Sequence, residues 1–172
     1  MLKFLKNILG NNKKENKDYE YIASPLEGKV VSITEVPDPV FSQKMMGDGF
    51  AVIPSKGIVV SPIDGVVASI FPTKHAIGLK GKNGREIIIH VGVETVNLNG
   101  EGFELFVNEG QVVKIGDRLL NIDIDRIKDK VPSVITPVIV SNLGDGETLI
   151  VEKMGNVALG EEGVAFIKIN KN

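Results

Sequence analysis

Apolar residues in this chain fall in short blocks of strand length, with glycine, proline and asparagine between them. Glu86 to Val91, Arg118 to Ile122, Leu149 to Glu152 and Ala165 to Ile169 are such blocks, and Gly144-Asp145-Gly146 is one of the turns that part them. Two segments repeat one pattern: Ser24-Pro25-Leu26-Glu27-Gly28-Lys29-Val30 and Ser61-Pro62-Ile63-Asp64-Gly65-Val66-Val67. Each reads as a proline-fixed entry, a glycine turn and a strand. Thr136-Pro137-Val138-Ile139-Val140 reads as a decayed third copy. From Tyr19 onward a helical pattern is confined to Ile124 to Lys130, limited by Pro132, because the residue before a proline is pushed out of the helical region. The pattern therefore predicts an all-β fold, a distorted antiparallel sandwich or barrel-sandwich hybrid with at most short helices.

The first residues differ. Leu2, Phe4, Leu5, Ile8 and Leu9 recur at helical spacing with Lys3 and Lys6 between them, so residues 1–10 read either as an amphipathic helix able to touch a membrane surface or as a frayed tail. The polar stretch Asn11 to Asp18 reads as a linker. The expected division is a flexible tail over residues 1–18 and one domain over 19–172.

Composition narrows the function. A formal net charge of −2 without a basic stretch in the domain argues against nucleic acid as a partner. With no cysteine there is no thiol nucleophile, disulfide framework or Cys-based zinc site. No apolar run approaches the roughly 18 residues of a membrane span, so the cytoplasm is the expected compartment.

The two histidines, His75 and His90, flank Gly81-Lys82-Asn83-Gly84, whose Asn-Gly pair favours a two-residue hairpin turn. That turn would set His90 opposite Ile77 and make the rings diagonal neighbours on one sheet face. A loop one residue longer or shorter would put them on opposite faces. Paired imidazoles suit group transfer: one attacks as a neutral nucleophile, while the other donates a hydrogen bond to the charge that develops. On pattern alone the plainer reading, two half-buried histidines satisfied by backbone carbonyls, is the stronger. Zinc would need a third ligand, a carboxylate from this chain or a partner, and the metallopeptidase spacing is absent.

The segment Gly84-Arg-Glu-Ile-Ile-Ile-His90-Val-Gly92-Val-Glu94-Thr95-Val96, continuing through Asn97 to Phe103, resembles the phosphohistidine segment of the glucose-type IIA proteins of the sugar phosphotransferase system. Val36 to Phe41 with Gly47-Asp48-Gly49, Ile70 to Ala76, and Glu109 to Asp117 resemble the same family in order and spacing. The resemblance spans nearly all of Tyr19 to Lys171. It implies a phosphotransferase component that takes a phosphoryl group on Nε2 of His90 from the histidine-containing phosphocarrier protein (HPr) and yields it to the cysteine of a permease IIB domain. It also makes His75 the clamp, has Thr73 bond the His75 ring, and has the Gly92 carbonyl hold Nδ1 of His90. No cofactor is implied.

The family further implies an apolar collar of Val40, Phe41, Phe71, Ile88 and Val96 for partner docking, with Asp38 and Glu94 pairing to basic residues of the donor. Position 94 is commonly aspartate in the family, and Ile87-Ile88-Ile89 is wholly aliphatic where some relatives carry an aromatic. A rival role is that of a regulatory binding module whose unphosphorylated form inhibits permeases or a kinase, with zinc shared by His75, His90 and a partner carboxylate. Glu109 to Asp123 also resembles part of biotinyl and lipoyl carrier domains, but the Met-Lys-Met arrangement of their modified lysine is missing.

Overall fold

The computed structural model describes residues 19–169. The expected tail, residues 1–18, and the amphipathic pattern of its first ten residues lie outside the described residues. The described chain is built almost wholly from antiparallel strands.

In chain order the strands are β1 (Tyr19–Ile22), β2 (Gly28–Ser32), β3 (Asp48–Pro54), β4 (Ile58–Val60), β5 (Gly65–Ile70), β6 (Ala76–Gly81), β7 (Glu86–His90), β8 (Phe103–Leu105), β9 (Val112–Val113), β10 (Arg118–Ile122), β11 (Thr136–Val140), β12 (Glu147–Val151), β13 (Gly155–Val157) and β14 (Ala165–Ile169). Eight of them form one sheet in the order β13-β2-β3-β11-β7-β6-β5-β9, faced by two three-stranded sheets, β1-β14-β12 and β4-β10-β8. Between the layers lies the main core, which holds Leu26, Phe50, Ile77, Leu79, Ile87, Ile89, Leu119 and Ile167. Period-two alternation explains the sharing: Ile87 and Ile89 enter this core, while Ile88 and His90 turn to the other face of the large sheet.

The repeated segments are related by geometry as well as by sequence. Ser24 and Ser61 are fully buried, and each hydroxyl donates to a carbonyl two residues on, Leu26 at 2.6 Å and Ile63 at 2.7 Å. The copies clasp each other reciprocally, Ala23 N–H to the Pro62 carbonyl and Val60 N–H to the Pro25 carbonyl, both at 2.9 Å. Thr136 behaves otherwise: its hydroxyl reaches back to the Val134 carbonyl, so β11 is a strand without being a third copy of the turn.

The halves diverge after their first strands. Beyond β2 the chain folds back over the outer sheet face through a 3-10 turn (Ile33–Glu35) and the one-turn helix α1 (Pro39–Ser42). This packs a second apolar cluster of Val31, Ile33, Val36, Phe41, Ala51 and Ile139 there. The predicted helix over Ile124 to Lys130 shortens to α2 (Ile124–Ile127), capped by the Asp123 carboxylate, which accepts from Arg126 N–H.

The central hairpin differs from expectation by one register step. The loop has three residues, Lys82-Asn83-Gly84, closed by Gly81 N–H to the Arg85 carbonyl at 2.8 Å and Gly84 N–H to the Gly81 carbonyl at 3.0 Å, with Gly84 at φ +82°. Asn-Gly here supplies the left-handed glycine of a three-residue turn, the next commonest hairpin connection. In consequence Ala76, not Ile77, faces His90.

Candidate phosphoryl-transfer site

With that register, strict alternation would send the His75 ring to the opposite face from His90. It does not, because His75 lies one residue before β6 in a tight turn. Lys74 N–H bonds the Phe71 carbonyl at 2.7 Å, and Lys74 sits in the left-handed region at φ +62°. The turn redirects the ring, so the imidazoles meet with centroids 4.9 Å apart and planes at 77°. The predicted neighbourhood holds, and the predicted route to it is corrected.

His90 ends β7 and is half-buried. Its Nδ1 lies 2.8 Å from the Gly92 carbonyl oxygen, which can only accept, so the proton sits on Nδ1 and the lone pair on Nε2. The Phe41 ring packs against it at 4.8 Å. His75 is buried, with Nδ1 2.6 Å from the Thr73 hydroxyl and the Phe71 ring 5.5 Å away. Opposite them β6 presents small residues, Ala76 facing His90 and Gly78 facing Ile88, and the Ser69 hydroxyl takes the place a side chain at Gly78 would need.

Burial pushes the His75 imidazole down to about 4, helped by the nearby His90 charge. Burial also lowers His90, against which the Gly92 carbonyl and the more distant Asp38 carboxylate favour the charged form. Both rings are therefore neutral at pH 7.

Of the other sequence-predicted residues, Phe41 packs on the His90 ring, Phe71 packs on the His75 ring and the Asp38 charge acts on His90, while the exposure of the set is unequal. Val40, Phe71 and Val96 are exposed and Ile88 is half-buried. Phe41 departs from the expected collar: only 4 % exposed, it belongs to the second apolar cluster and backs the His90 ring instead of offering a surface. Asp38 caps α1, its carboxylate accepting from Val40 N–H at 2.9 Å. Glu94 is exposed in the left-handed region at φ +58°. Sequence reasoning passed over Ala76 and Gly78, although the small-large alternation of Ala76-Ile77-Gly78-Leu79 was the available signal. It also passed over Glu109, whose carboxylate accepts from Ile70 N–H at 2.9 Å and so steadies the strand leading to Phe71.

A β-sandwich that offers a neutral, tautomer-fixed imidazole beside a second imidazole is a carrier for a labile group. Comparison with known proteins specifies the class. Residues 20–145 match the family described as phosphoenolpyruvate-dependent sugar phosphotransferase system, EIIA 1. Similar proteins include the PTS system glucose-specific EIIA component of Bacillus cereus, 52% identical over 144 residues that make up 84% of this chain and 86% of that one. The component of the same name from Staphylococcus epidermidis is 44% identical over 96% of this chain and 99% of its own length. The solved glucose permease IIA from Mycoplasma capricolum superposes with a TM-score of 0.79 at 41% identity, over 86% of this chain and 95% of that one. The chain belongs to the EIIA family of the sugar phosphotransferase system and is a phosphoryl carrier of that system.

Proposed function

We propose that His90 is the phosphoryl acceptor, that phosphorylated HPr is its donor, and that the cysteine of a permease IIB domain receives the group, in the cytoplasm and for glucose uptake. The observation that carries this reading is the Nδ1–Gly92 carbonyl bond, which leaves Nε2 as the free nucleophile. The Nε2 lone pair attacks the donor's phosphorus. The donor's P–N bond breaks, and its electron pair returns to the donor imidazole. His90 then carries a phosphoimidazolium whose positive charge is shared with the Nδ1–H held by Gly92. In the onward step a thiolate attacks phosphorus and the His90 P–N bond breaks, restoring the neutral ring. His75, with Thr73 donating to its Nδ1, presents Nε2–H to the equatorial oxygens, where most of the stabilisation in phosphoryl transfer is needed. Val40, Phe71, Ile88 and Val96 would meet the partners, with Asp38 and Glu94 steering a basic donor.

Cytoplasmic work accords with the absence, among the described residues, of a helix long and apolar enough to cross a membrane. The glucose assignment follows the names of the relatives. The test is intact mass after mixing with phosphoenolpyruvate, enzyme I and HPr. One acid-labile phosphoryl group on the wild type and none on His90→Gln is expected. A wild type that stays unmodified would replace this reading with a binding-only module.

A further inference from the structure

The carbonyl that fixes His90 belongs to Gly92, so whatever fixes the Gly92 peptide also sets the nucleophile. The turn from Val91 to Thr95 has little regular bonding of its own. Gly92 and Glu94 are both left-handed, at φ +71° and +58°, and Glu94, at the start of the 3-10 turn Thr95–Leu98, makes no side-chain capping bond. Two contacts hold the turn instead. On one side Val93 N–H donates to the Ser133 carbonyl at 2.9 Å. On the other, the fully buried Thr95 donates its hydroxyl to the Val91 carbonyl at 2.5 Å.

Thr95 also acts through its methyl group. A Cβ built on Gly92 would lie 2.6 Å from Thr95 Cγ2 and 3.0 Å from the Ser133 carbonyl oxygen. The Gly92 peptide is thus seated between Thr95 and Ser133, with its own carbonyl turned to His90 Nδ1.

We infer that Thr95 is a positioning residue for phosphoryl transfer: its hydroxyl ties the Val91 carbonyl, and its methyl seats Gly92, so that the Gly92 carbonyl selects the Nδ1–H tautomer of His90. Thr95 touches neither phosphoryl group nor partner. The inference rests on the proposed role of His90, but its first readout does not.

That readout is the 15N NMR spectrum of the His90 ring at pH 7.5, recorded for wild type, Thr95→Ala and Thr95→Ser. Wild type shows one tautomer, with Nδ1 protonated. Thr95→Ala, which lacks both groups, shows a mixture with the Nε2–H form. Thr95→Ser, which keeps the hydroxyl, returns most of the way to wild type. The second readout is the rate of phosphorylation by phosphorylated HPr: kcat falls about tenfold in Thr95→Ala, the size expected of a lost orienting contact, while KM for HPr stays within twofold. A folded Thr95→Ala with an unchanged tautomer overturns the inference, and so does a folded Thr95→Ser that loses tautomer selection as fully as alanine. The serine variant decides alone if the alanine variant fails to fold. If the tautomer shifts as expected while wild type accepts no phosphoryl group, Thr95 keeps its positioning role and the reading of His90 as acceptor falls.

Discussion

Strand β7 and the residue before it hold two buried polar clusters solved in opposite ways. Before the strand, Arg85 is almost fully buried and all five guanidinium N–H donors are used. Glu20 and Glu147 each accept two bonds at 2.8 to 3.1 Å, and the Asn142 carbonyl accepts the fifth at 3.2 Å. The fork geometry suits paired carboxylates, so the charge is kept: Arg85 is raised above its already high range and Glu147 is held down to about 2 by the guanidinium. At the strand's far end His75 and His90 meet with no ion pair to a carboxylate among the described residues, and Asp38 acts on His90 only through its charge. Burial then wins and both rings go neutral. The buried cation keeps its charge because two carboxylates grip it, and the imidazoles lose theirs because no carboxylate does. The fold supplies both environments within one strand's length.

The sharpest test removes each cluster in turn. His90→Gln should abolish phosphoryl acceptance by intact mass while leaving the melting temperature nearly unchanged; a loss of fold instead would erase the distinction. His75→Gln should still be charged but should transfer onward roughly 100-fold more slowly, the usual cost of one transition-state donor, as read by single-turnover transfer to a IIB domain. Arg85→Ala should do the reverse. It strands two carboxylates and should lower the unfolding free energy by about 3 to 5 kcal/mol in urea titration, with phosphorylation of the folded molecules unaltered.

The two clusters should also separate by pH. His75 binds its proton in the unfolded chain near 6.5 but in the fold only near 4, so between those values the unfolded state holds more protons. Stability should therefore fall as pH drops from about 6.5 to about 4, and His75→Gln should flatten that slope in thermal melts. The Glu147 contribution should stay full down to about 4.5 and be lost as pH falls from there toward about 2. The smallest effect expected is at Lys74, a non-glycine residue in the left-handed turn that aims His75. Lys74→Asn should stabilise by about 0.5 to 1 kcal/mol, since asparagine visits that region more readily, without altering acceptance by His90.

Much of this was legible in the chain. The strand blocks, the paired Ser-Pro turns and the hairpin between the histidines all follow from local rules, since turn chemistry and alternation act over a few residues. The register did not follow, because Asn-Gly serves two-residue and three-residue loops alike. The histidines met anyway through the strained Phe71 to His75 turn, which no periodicity encodes. The resemblance puts Phe41 on the surface, whereas the chain folding back after β2 lays it over Val31, Ala51 and Ile139, residues distant in sequence. The Arg85 cluster left no trace in the sequence, since Glu20 and Glu147 are 65 and 62 residues away.

One feature of the large sheet bears on how the protein is made. β11, residues 136–140, is inserted between β3 and β7, where Val138 and Ile139 face Phe50 and Gly49 on one side and Ile89 and Ile88 on the other. During synthesis the strand that carries His90 therefore waits for a partner that leaves the ribosome some fifty residues later. Until then β7 is an open edge, and Phe41 has no Ile139 beneath it. The sheet around His90 is thus closed by topology only once residues 136–140 have been made.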